Sequence, residues 1–362
     1  MGFTCGLIGL PNVGKSTLLN ALSAAGAKVE SYPFSTITTN IGVVDVPDER
    51  LDLLAALFPE KQKIPTQLQL LDIAGLVSGA SAGEGLGNQF LAEIRTVDAI
   101  LHVVRCFRDE NVAHVTGELD PEGDIAIVNT ELLLKDLETL QRTCATLSRQ
   151  QKSGDRQIKT RFTLCQTLLE TVARGSAIDI GEVDSDAEAL IRELSLLTAK
   201  PVLYIANVDD NGKNEYSRRV EELGQRNGIR TITICGRIEA EIAEIAVTPL
   251  ERKSYLTAWG LAESGLSQLI RASYDLLKLV TFFTIDGPEV RAWTVPQNTT
   301  APIAAGKVHS DFANRFVQAE VMDVENLCQY KSVKTLREKG LIRRAGRDHI
   351  VQDGEIIHFI CG

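Results

Sequence analysis

The stretch Thr4-Cys-Gly-Leu-Ile-Gly9-Leu-Pro-Asn-Val-Gly14-Lys15-Ser16-Thr17 decides the fold. A short apolar run closes on a glycine, a loop of the pattern G-x-x-x-x-G-K-S follows, and a helical pattern opens at Lys15 with Leu18, Leu19 and Leu22 on one face. Strand, glycine loop and helix in that order make a phosphate cradle. Glycines let main-chain N–H groups curl around phosphate oxygens, and the helix N-terminus adds a favourable dipole. On this reading Asn12, Val13, Gly14, Lys15, Ser16 and Thr17 hold a nucleotide, with Lys15 reaching the β and γ phosphates and the Ser16 hydroxyl ligating Mg²⁺.

Working outward, apolar runs at Ile41–Val46, Leu68–Ile73, Ile100–Val104, Val202–Ala206 and Thr231–Ile234 have the length and branching of buried strands, with helical patterns between them. The alternation predicts a mostly parallel α/β sheet. A carboxylate is expected at the end of a neighbouring strand to hold the metal's water shell, and Asp72 supplies it. It begins the tetrad Asp72-Ile-Ala-Gly75, whose glycine amide can sense a γ-phosphate. Between these motifs the segment Tyr32-Pro-Phe-Ser-Thr36-Ile-Thr-Thr-Asn40 offers hydroxyls, of which Thr36 is the candidate third metal ligand. By itself a loop threonine reads first as a turn hydroxyl, and it is the surrounding motifs that make Thr36 a ligand candidate.

The base end is half written. Asn207-Val208-Asp209-Asp210 closes a strand where translation-factor GTPases carry N-K-x-D. Asn207 can brace the phosphate loop and Asp210 can accept from guanine, but Val208 replaces the lysine whose stem covers the base, so ATP and GTP both remain open here. Ile234-Cys235-Gly236-Arg237 takes the place of the final base-binding loop, with Cys235 as its candidate contact.

The α/β alternation stops after Asn129. Leu133, Leu137, Leu140, Cys144 and Leu147 recur at threes and fours, and a second stripe follows at Phe162, Cys165, Leu169 and Val172. These predict an antiparallel helical hairpin inserted into the nucleotide domain. Beyond Leu279, alternating segments such as Val290–Val295 and Phe316–Val321 predict a small α+β domain. The expected boundaries are 1–128 with 200–278, then 129–199, then 279–362. Trp259 and Trp293 are read as core residues, and His102, inside an apolar strand, as structural.

Together the runs GLPNVGKSTLLNAL, YPFSTI, DIAGLVSGASAGEGLGN, HVVRCF and VRAWTV with TAP and IVQDGEIIHF resemble the YchF group of Obg-like ATPases over essentially the whole chain. The resemblance implies a P-loop G domain, an inserted helical hairpin and a C-terminal TGS domain of β-grasp type. It also implies ATP in preference to GTP, because the group carries N-x-x-E where GTPases have N-K-x-D; here Asp210 stands at the acid's position. Leu76 occupies the place of the glutamine that orients water in many GTPases, so slow turnover is expected. From the residues alone His114 reads as a surface histidine; the resemblance implies that it positions the attacking water. Asn12 is a candidate for K⁺ binding beside the phosphates.

Composition sets the outer bounds. The chain has 362 residues, 44% hydrophobic and 24% charged, which excludes a disordered or disulfide-stapled protein. Seven cysteines without a CxxC pair signal neither zinc nor a disulfide framework. No run approaches the roughly 20 apolar residues of a membrane span and the N-terminus lacks a basic lead, so a cytoplasmic location is expected. A net charge of −10 argues against general nucleic-acid binding, and no DNA partner is expected. Local excess points elsewhere: eight basic residues against four acidic between Lys135 and Arg174, and seven against one between Lys331 and Arg347. These are candidate RNA-facing surfaces, and the resemblance implies the ribosome, its large subunit and ribosomal RNA, as the expected partner.

Overall fold

The computed structural model describes residues 3–24, 28–31, 40–73, 86–109, 118–151, 155–246 and 248–362. The readings placed on Thr36, Gly75, Leu76 and His114 lie outside the described residues. Two compact units divide the chain, one of residues 4–42 and 69–269, the other of 1–3, 43–68 and 270–362.

The first unit is built on a seven-stranded sheet ordered β2-β3-β5-β1-β6-β7-β8. Its strands are β1 (Phe3–Ile8), β2 (Lys28–Ser31), β3 (Asn40–Asp45), β5 (Gln67–Asp72), β6 (Ala99–Arg105), β7 (Val202–Asn207) and β8 (Thr231–Ile234). β1 runs parallel to β6, β6 to β7, and β7 to β8, with Arg105 opposite Asn207 and Asn207 opposite Ile234. The C-terminal ends of these strands therefore fall together, the edge at which open parallel sheets bind ligands. Every residue of β6 is buried, as its unbroken apolar run requires. Helices α1 (Lys15–Ala24), α3 (Leu86–Thr96), α7 (Glu215–Arg226), α8 (Gly236–Ile245) and α9 (Pro249–Ala258) complete this unit with the insertion.

The insertion is larger than a hairpin. α4 (Pro121–Gln150) begins eight residues before the expected boundary at 129, because Ile125, Val128 and Leu132 carry the buried stripe upstream and Pro121 sits in the first turn, where its missing N–H costs nothing. α5 (Arg156–Ala173) is capped by Asp155, which accepts from Gln157 N at 2.8 Å. A third helix absent from the sequence reading, α6 (Ser185–Leu194), adds Ala187, Leu190 and Ile191 to the packing. Leu140, Cys144, Leu147, Cys165, Leu168, Val172, Leu190 and Ile191 belong to one core.

The second unit carries a six-stranded sheet ordered β12-β11-β13-β9-β10-β4. β9 (Leu279–Thr284), β10 (Glu289–Pro296), β11 (Phe316–Asp323), β12 (Arg343–Ala345) and β13 (Glu355–Cys361) come from the C-terminal segment, together with α11 (Ala301–Val308), α12 (Phe312–Arg315), α13 (Val324–Tyr330) and α14 (Val333–Glu338). α10 (Gly265–Leu276) leads into them. The sixth strand, β4 (Gln62–Ile64), lies parallel to β10, and α2 (Glu49–Leu57) buries Leu51 and Leu54 among Phe283, Val290, Met322 and Leu336. The segment from α2 to β4 thus packs with the C-terminal strands, whereas the expected boundary at 128 placed it in the N-terminal domain. Apolar periodicity shows that α2 has a buried face but does not say against which sheet.

Of the tryptophans, Trp293 is half-buried, stacked on Phe282 and donating from Nε1 to Thr284 Oγ1 at 2.9 Å. Trp259 contradicts the core reading: it caps the C-terminus of α9 and is 45% exposed. Four of the seven cysteines are buried and all seven are free thiols.

Candidate functional site

The loop after β1 folds as its glycines demand. Gly9 and Gly14 take φ of +148° and +97°, and side chains there would run into Val103 O and Asn207 Nδ2. Asn12 also has positive φ, 63°. The loop encloses a cavity of about 460 Å³ lined by Asn12, Gly14, Lys15, Ser16 and Thr17 on one side. Asn207, Val208, Asp209 and Arg237 line it on the other, and Phe107, Arg108 and Asp109 complete the wall.

Lys15 is 7% exposed and donates from Nζ to Gly9 O and Leu10 O at 3.1 and 3.0 Å. Burial pulls its pKa down to about 8, against the opposing pull of Asp72. Ser16 Oγ donates to Asp72 Oδ2 at 2.9 Å, so the two predicted metal ligands on the described chain meet although they are 56 residues apart. Burial raises the Asp72 pKa, while the Ser16 hydrogen bond and Lys15 act the other way. A hydroxyl and a carboxylate side by side are the oxygen donors a hard divalent cation takes. No group of three or more His, Cys, Asp or Glu side chains suited to a metal occurs among the described residues.

Asn207 is the structural keystone. Its Nδ2 donates to Val13 O at 2.8 Å and its Oδ1 accepts from Gly236 N at 3.0 Å, tying the phosphate loop to the start of α8. Val13 serves through this carbonyl, its own side chain being buried. Val208 is buried as well and gives the cavity an apolar wall. Beside it, Arg105 stacks over the Phe107 ring with 4.7 Å to the centroid and donates to Phe107 O and Asp109 O at 3.2 and 3.3 Å, shaping the turn that carries Phe107.

Two predicted base contacts are not on this wall. Asp210 pairs with Arg237 and, like Cys235, lines a second cavity of about 540 Å³. Asp210 turns away because Arg237, at the N-terminal end of α8, offers its carboxylate an ion pair. Cys235 is the N-cap of α8, and burial pushes its thiol pKa up. Conversely, the reading of individual residues passed over Phe107, Arg108, Asp109, Asp209 and Arg237. The turn that closes the HVVRCF run at Phe107-Arg108-Asp109 was the available signal for the first three. His102 is a buried ring edge-on to Tyr204, its pKa lowered to about 3 by burial and then by Lys15, so it is neutral at neutral pH.

The profile described as "50S ribosome-binding GTPase" matches residues 4–137, and the YchF-GTPase C-terminal profile, described as a protein of unknown function, matches 279–361. A relative from Escherichia coli O157:H7 named "Ribosome-binding ATPase YchF" is 44% identical over 362 residues, covering 99% of both chains. The chain belongs to the YchF family. A Bacillus subtilis member of the same name is also 44% identical, over 364 residues and 99% of each chain. Among solved structures, the Schizosaccharomyces pombe YchF GTPase superposes with a TM-score of 0.86 at 33% identity, covering 99% of this chain and 98% of that one. The expected class, an α/β P-loop domain with a helical insertion and a C-terminal α+β domain, is the family's fold.

Proposed function

We propose that the protein is a slow Mg²⁺-dependent ATPase, converting ATP to ADP and phosphate, whose nucleotide state governs docking on the ribosome. The observation that carries this reading is the cavity itself. One wall is a phosphate loop with a buried lysine, and the other is braced by Asn207 but has Val208 where a guanine site needs lysine. The names of the Escherichia coli and Bacillus subtilis relatives support both the ATPase and the ribosome.

In this reading Asn12, Val13, Gly14, Lys15, Ser16 and Thr17 hold the phosphates, and Asn207 and Val208 frame the base end. Ser16 and Asp72, with Thr36, would hold Mg²⁺, whose charge offsets that of the β and γ phosphates. Gly75 senses the γ-phosphate, His114 orients the water that attacks it in line, and Lys15 stabilises the charge that moves to the bridging oxygen. Asn12 is the candidate for K⁺. The exposed Arg149 and Arg156 on the insertion, and Lys334, Arg343, Arg344 and Arg347 on the C-terminal unit, form basic faces for ribosomal RNA of the large subunit. Such a protein works in the cytoplasm. No described helix is long and apolar enough to cross a membrane.

The test compares affinities for non-hydrolysable ATP and GTP analogues with Mg²⁺, then turnover with and without ribosomes. Tighter ATP binding and stimulation by ribosomes are expected. Reversing the charges of Arg149 and Arg156 is expected to remove the stimulation and leave nucleotide affinity unchanged. Tighter GTP binding would make the chain a GTPase switch of the Obg type.

A further inference from the structure

The base end of the cavity contains an arrangement that neither the phosphate loop nor Asn207 explains. Arg237 and Asp210 stand 27 residues apart, on the α8 end of the β8 loop and on the turn after β7, and they form an ion pair. The pair is asymmetric with respect to the cavity. Arg237 lines it, whereas Asp210 lines the neighbouring one. The other acid on the turn, Asp209, does face the nucleotide cavity, but its Oδ1 accepts from Asn211 N at 3.0 Å. The carboxylate standing where a guanine-specific site has its acceptor is thus drawn off by a guanidinium that takes a place on the wall.

The hydrogen-bond inventory gives this a consequence. A guanidinium has five donors and no acceptor. Guanine presents two donors, N1–H and the 2-amino group, beside the O6 acceptor of its Watson–Crick edge, and those donors need a free carboxylate opposite, which a donor-only guanidinium cannot replace. Adenine presents N1 as an acceptor and the 6-amino group as its donor and has no 2-amino group, so it depends less on that carboxylate. Discrimination of this kind comes from leaving the wrong base's polar groups unpaired more than from extra contacts to the right one. We infer that Arg237 is a specificity-determining residue that disfavours guanine by holding Asp210 out of the nucleotide cavity. The inference rests on the reading of this cavity as an ATP site. Both backbone and Arg237 hold the Asp210 carboxyl below its ordinary range, so it is ionised and able to pair at neutral pH.

The experiment measures calorimetric affinities of the full chain for non-hydrolysable ATP and GTP analogues with Mg²⁺, in the wild type, Arg237→Ala, Asp210→Asn and the double variant. Arg237→Ala is expected to tighten GTP-analogue binding by about tenfold, the scale of one charge-assisted hydrogen bond gained, with ATP-analogue affinity changed less than about threefold. The double variant is expected to lose that gain. Asp210→Asn alone is expected to leave the GTP-analogue affinity within about threefold of wild type, since the carboxylate is already engaged. A wild type that prefers the ATP analogue, with an unchanged preference in Arg237→Ala, would overturn the inference and leave the ATPase reading standing. A weakening of GTP-analogue binding by Asp210→Asn alone would also overturn it, and does not depend on how Arg237→Ala folds. Equal or tighter GTP binding by the wild type would overturn the ATPase reading and this inference with it.

Discussion

Lys15, the lysine proposed to bind phosphate, is dehydrated by its own fold, so it is expected to take up a proton when nucleotide arrives under alkaline conditions. Burial lowers the Lys15 pKa from 10.5 to about 8, and among the described residues its Nζ has two carbonyls and nearby Asp72 as neighbours. The charge of β and γ phosphates restores the ammonium. Linkage then fixes the pH dependence: apparent affinity falls by 1 + 10^(pH − 8), about twofold at pH 8 and about elevenfold at pH 9. Between pH 7 and pH 9 the loss is about tenfold, or about 1.4 kcal/mol, if the bound lysine stays protonated throughout. Titration calorimetry in buffers of different ionisation enthalpy reads the proton directly, with an expected uptake of about 0.1 at pH 7 rising to about 0.9 at pH 9. His102 cannot mimic the signal because its pKa lies at about 3. The folding side has the matching sign. The unfolded chain holds this proton up to its ordinary pKa, so the Lys15 contribution to empty-protein stability grows as pH rises above about 8 and is lost as pH falls through it. Uptake below about 0.2 proton at pH 9 together with a flat affinity would refute the reasoning, since Lys15 would then be charged before the nucleotide arrives.

Three further outcomes follow from single contacts. Asn207→Ala removes both the Val13 and Gly236 bonds and is expected to lower stability by about 1–3 kcal/mol in denaturant titration and to weaken nucleotide binding at least tenfold. Ser16→Ala is expected to abolish the Mg²⁺ dependence of nucleotide affinity, measured with and without chelator, while Asp72 loses its hydroxyl donor. Asp136→Ala leaves the amides of Leu197 and Thr198 without the carboxylate that accepts from both at 2.8 Å, and is expected to cost about 2–4 kcal/mol in thermal or denaturant unfolding with nucleotide affinity unchanged.

The legible part of this molecule is the part made of contiguous sequence. The β1 run, the glycine loop and the Leu18–Leu19–Leu22 face specify strand, turn and helix within about twenty residues, and the structure has them at those positions. The pairing of Ser16 with Asp72 was legible too, because each motif predicts the same ligand from its own side. What stayed hidden depends on partners that periodicity does not name. The apolar face of α2 looks the same whichever sheet it covers, and the three residues of β4 are too short to alternate visibly. The fate of Asp210 depends on Arg237, which a motif reading treats as a separate loop. Trp259 misled through composition: a large apolar side chain suggests a core, but the end of α9 provides none around it.

The base of the insertion shows how such hidden partners seat a helix. Asp136, fully buried in the middle of α4, accepts from Leu197 N, Thr198 N and Thr198 Oγ1, each at 2.8 Å, just upstream of β7. Lys200, on the same connection, donates to Arg95 O and Val97 O at the end of α3, and burial lowers its pKa. Arg95 in turn donates from Nη2 to Thr139 Oγ1 of α4 at 2.7 Å. A polar ring therefore joins α3, α4 and the approach to β7, and β7 ends at Asn207, which holds the phosphate loop. Each link is a polar group that burial would otherwise penalise, so the ring is costly to open at any one point. The helical stripes that announced an insertion could not show this, because the residues that seat it, Asp136, Thr139, Lys200 and Arg95, lie off the apolar face and on three different segments.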